Sequence, residues 1–208
     1  ATYEIQIMPT GTGSPVFIQQ AGLVSNTFQM PTDLPLGDFS IRVRATTATG
    51  LNSIWSAPQL CRSRPVTTIE GSRRTESSGN FTIRWAAVVG ATKYDVLVDN
   101  MTTRTPGFLR DTEVLTASLD VRDFQIGRYQ VRVRATGTPG QLSGWSVPAI
   151  ITVSLRATGV RVSAAAIGSL TTLNWDPVPG AARYEVQVDN LTTGVLRFIR
   201  NTNVPGTS

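Results

Sequence analysis

The sequence repeats itself with a period of ninety residues. Trp85 recurs as Trp175 and Tyr94 recurs as Tyr184, while the tetrapeptide Arg-Val-Arg-Ala occupies both 42–45 and 132–135. A period of this size is too long for a solenoid unit and suits one small autonomous domain. The sequence therefore predicts a tandem array, which divides into a partial repeat at 1–64, a complete repeat at 65–154 and a partial repeat at 155–208.

The complete repeat contains short β-segments separated by turn residues, with almost no helical periodicity. Its expected strands, lettered A to G, are A (66–69), B (80–85), C (94–98), C′ (108–110), E (119–121), F (129–135) and G (149–153). By alignment, the first repeat would hold strands C to G, with E at 27–30, and the third would hold A to C′. The predicted fold class is all-β. Tandem sandwiches joined by about four residues would be stiffly coupled and form an elongated rod.

Composition excludes several classes of protein. The chain has 40% hydrophobic and 16% charged residues, which is typical of a globular protein. Its net charge of +5 is spread along the chain, and only Arg73 and Arg74 are adjacent basic residues, so we expect no nucleic-acid partner. No apolar run approaches the roughly 20 residues of a membrane-spanning helix, and we expect no membrane span.

The residues of common catalytic and metal sites are scarce. Histidine is absent and cysteine occurs once, so the usual base of a serine or cysteine nucleophile is missing and we expect no enzyme and no cofactor. Cys61 aligns with Ile151, which indicates a small apolar strand residue. Asp99, Asp111 and their neighbours lack the spacing of a calcium loop, so we expect no metal site.

Several residues occur in an order that suggests a known family. These are the strand B tryptophans Trp85 and Trp175, the Gly-Ala-x-x-Tyr sequences that end at Tyr94 and Tyr184, and a strand F that begins at Tyr129. Together they resemble fibronectin type III domains, an immunoglobulin-like sandwich, of the tandem kind found in large bacterial surface and secreted proteins. The resemblance implies an extracellular or cell-surface location in a bacterium.

The same resemblance assigns a core role to these five aromatic residues. In the family, the hydroxyl of the strand F tyrosine bonds to nearby backbone. Tyr129 can make this bond, whereas Phe39 in the first repeat cannot. The Arg-Gly-Asp tripeptide of animal members is absent, so integrin adhesion is not implied.

Strand F also carries a stripe of arginines. Because alternate residues of a strand face opposite sides, Arg42 and Arg44, and likewise Arg132 and Arg134, are expected on the outward face. Trp55 and Trp145 each follow eleven residues after the second arginine. The expected structural ladder of stacked guanidinium and indole groups consists of Arg42, Arg44, Trp55, Arg132, Arg134 and Trp145.

This region resembles the membrane-proximal domain of class I cytokine receptors, with Trp-Ser-x-Pro in place of their Trp-Ser-x-Trp-Ser. The missing second Trp-Ser and the missing paired cysteines argue against receptor function. A second interpretation of the stripe is a polysaccharide-binding patch of aromatic and basic side chains.

Three asparagines, Asn80, Asn100 and Asn190, fit the N-glycosylation sequon. Asn100 and Asn190 also follow an aspartate at the same expected turn of successive repeats. Asp-Asn is itself a turn signal, so both interpretations stay open.

The sequence favours a non-catalytic extracellular spacer or adhesive segment, made of tandem repeats within a longer protein. One alternative is a fibre subunit that assembles head to tail through incomplete terminal domains. Another is a carbohydrate-binding module. The expected partners are neighbouring repeats of the same chain or like subunits, with polysaccharide or a cell-surface protein as further candidates.

Overall fold

The computed structural model describes residues 1–11, 15–30, 33–138, 140–163 and 171–205. These residues form fifteen β-strands and no helix. The strands assemble into five sheets. The protein is therefore all-β, as the sequence predicts, and two facing sheets form a β-sandwich in the second repeat.

The first repeat forms one four-stranded antiparallel sheet with the order β2-β1-β3-β4. Its strands are β1 (Thr2–Pro9), β2 (Ile18–Leu23), β3 (Gly37–Thr46) and β4 (Gln59–Ser63). The buried side chains on its inner face are Ile5, Ile7 and Phe39. At the end of this face, Val43 lines an open cleft with Tyr3 and stays 37% exposed.

The expectation of a strand E at 27–30 is wrong, because those residues form no strand. In the second repeat, strand E is β9 (Ser118–Val121), which pairs with β6 (Phe81–Arg84), strand B. The described residues of the first repeat contain no strand B. A strand needs a partner for its backbone N–H and C=O groups, and the described residues provide the segment at 27–30 with no strand B.

The second repeat is a sandwich of two sheets. One sheet pairs β6 with β9, and the other has the order β5-β11-β10-β7-β8. The strands of the larger sheet are β5 (Arg73–Glu76), β7 (Ala91–Asn100), β8 (Thr105–Val114), β10 (Gly127–Gly137) and β11 (Ala149–Val153). The core lies between the sheets, where Ile83 of β6 meets Val96 of β7 and Val131 and Val133 of β10, all fully buried.

Strand A of the second repeat differs from expectation. Instead of a strand at 66–69, the structure has a single bridge between Ile69 and Trp85. The chain then forms β5, which runs parallel to β11. Hydrophobic alternation misses β5 because its residues are Arg, Arg, Thr and Glu, and backbone pairing at the sheet edge defines it.

The third repeat forms two small antiparallel sheets. One pairs β12 (Arg161–Val162) with β13 (Leu173–Asn174), and the other pairs β14 (Arg183–Asn190) with β15 (Val195–Pro205). These strands correspond to A, B, C and C′. Leu170, which the ninety-residue alignment places at the start of strand B, lies outside the described residues.

Candidate functional site

The first part of the arginine stripe lies on β3, beside β1. Arg44 and Glu4 are register partners, as are Arg42 and Gln6. Nη2 of Arg44 lies 2.6 Å from Oε2 of Glu4, and Nε of Arg42 donates to Oε1 of Gln6 at 2.7 Å. Each arginine therefore finds its acceptor directly across the strand pair.

Trp55 stacks on both of these arginines. The guanidinium carbons of Arg42 and Arg44 lie 4.8 Å and 4.7 Å from the centre of the Trp55 ring. At these distances the positive guanidinium groups are attracted to the ring face. Trp55 is therefore held against the outward face of β3 by two contacts.

The second repeat has one stacked rung. Arg134 lies 2.6 Å from Asp95 and 4.6 Å from the ring centre of Trp145. Arg132 instead pairs with Asp99 at 3.1 Å. Among the described residues of this repeat, only Arg134 is stacked on Trp145.

Two pairs of serines outside the predicted ladder fix the segments that carry the tryptophans. Oγ of Ser143 accepts the N–H of Ala135 at 2.8 Å, and Oγ of Ser146 accepts the N–H of Val133 at 3.0 Å. Ser53 and Ser56 make the same bonds to β3 in the first repeat, at 2.9 Å and 3.1 Å. Their recurrence at the ninety-residue period is the signal that identifies them.

Charge on the outward face is balanced locally. Hydrogen bonds from Gln19 and Arg44 lower the pKa of Glu4 from its ordinary value. In the third repeat, Arg200 lies 2.6 Å from Glu185, the counterpart of Asp95. That hydrogen bond lowers the pKa of Glu185 and raises the pKa of Arg200. Glu4, Asp95 and Glu185, which occupy the same position of strand C, therefore each have an arginine partner.

The predicted core aromatic residues make the same contacts in two repeats, although Trp85 and Tyr94 are buried whereas Trp175 and Tyr184 are only half-buried. The rings of Trp85 and Tyr94 lie 5.4 Å apart, and those of Trp175 and Tyr184 lie 5.2 Å apart. The hydroxyl of Tyr94 accepts the N–H of Val88 at 3.0 Å, and Tyr184 accepts that of Val178 at 2.8 Å.

Tyr129 binds the loop that precedes strand F. Its hydroxyl donates to the carbonyl of Gln125 at 3.0 Å. Burial raises the pKa of Tyr129, because ionisation is unfavourable in an apolar environment.

The sequon asparagines lie at strand ends: Asn100 and Asn190 are the last residues of β7 and β14, and Asn80 directly precedes β6. Oδ1 of Asn100 accepts the N–H groups of Thr102 and Thr103, both at 3.0 Å, and its residue is only 7% exposed. Asn190 makes the equivalent pair of bonds. Oδ1 of Asn80 accepts the N–H of Asp123 at 2.9 Å. Asn100 and Asn190 therefore stabilise the turns that follow them, whereas Asn80 joins the start of β6 to the loop before strand F.

Two classes of feature are absent from the described residues. No group of three or more histidine, cysteine, aspartate or glutamate side chains in this part of the chain is placed to hold a metal ion. Among the same residues, no helix has the length and apolar character needed to cross a membrane.

No protein-family model matches the chain, and no curated protein matches it. Among solved structures, the chain is similar to the crystal structure of the FN1-FN3 domains of chicken CNTN1. The sequence identity is 17% and the TM-score is 0.37, over 100% of this chain and 78% of that chain.

Proposed function

We propose that this chain is a non-catalytic spacer or adhesive segment of a larger extracellular protein, built from tandem fibronectin type III-like repeats. One observation supports this function above the others. Arg42, Arg44 and Arg134 each contact both an acceptor on the neighbouring strand and a tryptophan ring. Arg132 contacts Asp99. A face that satisfies its own charges is suited to stabilising a strand pair rather than to holding a ligand.

The alternative of a polysaccharide site would require free groups on this face. Arg44 already contacts Glu4 and Trp55, and Arg134 already contacts Asp95 and Trp145. A sugar that stacked on the face of Trp145 that Arg134 covers would have to displace the Arg134 guanidinium. The guanidinium would then lose its attraction to the ring and the carboxylate would lose its fixed partner.

Substitution of Trp145 distinguishes a structural role of this side chain from a role in polysaccharide binding. We expect Trp145→Ala to lower the urea midpoint of the second repeat, and we expect the wild-type chain and the variant to give the same signals on a polysaccharide array. Val147→Ala is a matched control, since Val147 is two residues away and 80% exposed. Array binding that disappears in Trp145→Ala while stability is unchanged would overturn the proposal.

The fibre alternative is tested by mass spectrometry of the protein isolated from its source. A spacer within a larger protein should have a mass well above the 22.4 kDa of this chain. A 22.4 kDa chain that assembles into head-to-tail oligomers would favour the fibre.

A further inference from the structure

Neighbouring repeats meet at the same two segments each time. The approach loop is defined here as the residues just before strand F, 33–36 and 123–126, and the glycine turn as the residues just before strand C, 88–90 and 178–180. The N–H of Leu36 donates to the carbonyl of Val89 at 2.8 Å, and the N–H of Ile126 faces the carbonyl of Pro179 at 3.5 Å. Donors and acceptors in the two contacts are ninety residues apart.

The glycine of each turn is required by two separate features. Gly90 and Gly180 have φ values of +85° and +80°, a conformation that other residues adopt at a cost. A methyl group on Gly90 would also lie 2.9 Å from the carbonyl oxygen of Leu36. On Gly180 it would lie 3.1 Å from Cβ of Gln125. The absence of a side chain therefore lets the preceding repeat approach closely.

Apolar packing adds to the first of these contacts. Leu36 belongs to the first repeat, yet it is only 5% exposed and lies in the core cluster of the second repeat with Val88. At the second contact, Ile126 is 39% exposed. The contact between the first and second repeats is therefore the tighter of the two.

The surroundings of the two contacts also correspond. A cleft beside the first is lined by Asp33, Leu34, Pro65 and Val89, and a cleft beside the second is lined by Asp123, Phe124, Leu155 and Pro179. Proline is compatible with position 179 because this position contributes only its carbonyl group, which proline retains. Both contacts share two features. An aliphatic residue of the approach loop donates its N–H, and the glycine turn offers a carbonyl from the residue directly before its glycine.

We infer that the approach loop of one repeat and the glycine turn of the next form a recurring docking joint, so that each repeat fixes the orientation of its successor. The partner that this surface fits is a following repeat with an acceptor carbonyl and glycine in its turn. The inference deepens the proposed spacer function and rests on it for its purpose. It makes the array a chain of oriented units rather than of freely tethered ones.

Amide hydrogen exchange of the whole chain, followed by NMR, tests the joint at Leu36. In the wild type we expect the Leu36 amide to be protected although it lies in a loop. Gly90→Ala should accelerate its exchange by at least about tenfold. Gly50→Ala is the matched control, since Gly50 has a φ of +83° but nothing within 4 Å of an added methyl group. It should leave Leu36 unchanged.

If Gly90→Ala unfolds the second repeat, the amide of Val133 will lose its protection as well. A second variant, Leu36→Ala, then tests the joint. In the wild type, residual dipolar couplings of the first two repeats should fit one alignment tensor. Leu36→Ala should separate them into two, whereas the control Leu51→Ala, at a residue 70% exposed, should not.

An unprotected Leu36 amide, or independent tensors in the wild type, would overturn the joint. Either result leaves the spacer proposal standing. Conversely, polysaccharide binding that depends on Trp145 would contradict the spacer proposal and leave the joint intact.

Discussion

At the scale of single residues, the turns after strand C show how one backbone shape accepts two sequences. In the second repeat the left-handed positions are Arg104 (φ 58°) and Gly107 (φ 62°). In the third repeat the corresponding positions are Gly194 (φ 71°) and Arg197 (φ 56°). Glycine and arginine have therefore exchanged places. Each repeat holds one arginine, Arg104 in the turn and Arg197 near the start of β15, in a conformation that glycine adopts more easily.

Arg104→Gly should stabilise the second repeat. The arginine is exposed, so little packing is lost, and removal of its Cβ relieves the left-handed strain. The greater freedom of glycine in the unfolded chain offsets part of this gain, which leaves a net increase of about 0.5 kcal/mol in the free energy of unfolding. Urea titration measures it. A lower midpoint for Arg104→Gly than for the wild type would show that strain at this position is negligible.

The Glu4 carboxylate should make the first repeat sensitive to acid. Because its pKa is lowered in the folded state, the unfolded chain binds this proton more readily. The stabilisation is therefore present above the ordinary glutamate pKa of about 4.3 and is lost as the pH falls through the folded-state value. Urea midpoints of β1 and β3 amides should fall more steeply below about pH 4.5 in the wild type than in Glu4→Gln. Equal slopes for the wild type and Glu4→Gln would exclude a contribution of the Glu4–Arg44 pair to stability.

Strand alternation predicts which arginines of the stripe face outward, because it depends only on spacing. It does not predict which of them stack. Arg132 is directed toward Asp99 at the end of β7, and the position of Trp145 depends on a loop held by Ser143 and Ser146. These contacts arise from the path of the loop, which sequence periodicity does not specify.

At the scale of elements, the serine bonds to strand F offer a matched comparison between repeats. Ser143→Ala would leave the N–H of the fully buried Ala135 without its acceptor, at a cost of about 1–3 kcal/mol. Ser53→Ala removes the equivalent bond to Ala45 at an exposed position, where water can replace it. We expect a clear loss of stability for Ser143→Ala and a smaller one for Ser53→Ala, both measured by urea unfolding. Equal losses of stability in the two variants would show that burial of the N–H group does not determine the cost.

Strand pairing explains which elements the sequence could not predict. The sequence predicts strands F and G because apolar residues alternate along them, as at Val131 and Val133. The polar edge strand β5 has no such pattern, and the segment at 27–30 has the pattern without a partner to pair with. Alternation therefore identifies a strand that contributes to a core, while edge strands depend on the neighbours that accept their hydrogen bonds.

At the scale of the whole molecule, burial is unequal among the repeats. Val96, Val98, Val131 and Val133 of the second repeat are fully buried between two sheets. The inner face of the first repeat buries three hydrophobic side chains, and its Val43 stays partly exposed. Because apolar burial contributes most of the favourable free energy of folding, the repeats should differ in stability within one chain.

Unfolding of this chain should therefore proceed in more than one step. In a urea series followed by amide exchange, the amides of Ile7 and Ile41 should lose protection at a lower concentration than those of Val96 and Val133. Leu36 should follow the second repeat, because its side chain lies in that core although its backbone belongs to the first. A single common transition for all of these amides would mean that contacts between repeats, rather than the core within each one, determine the cooperativity of the chain.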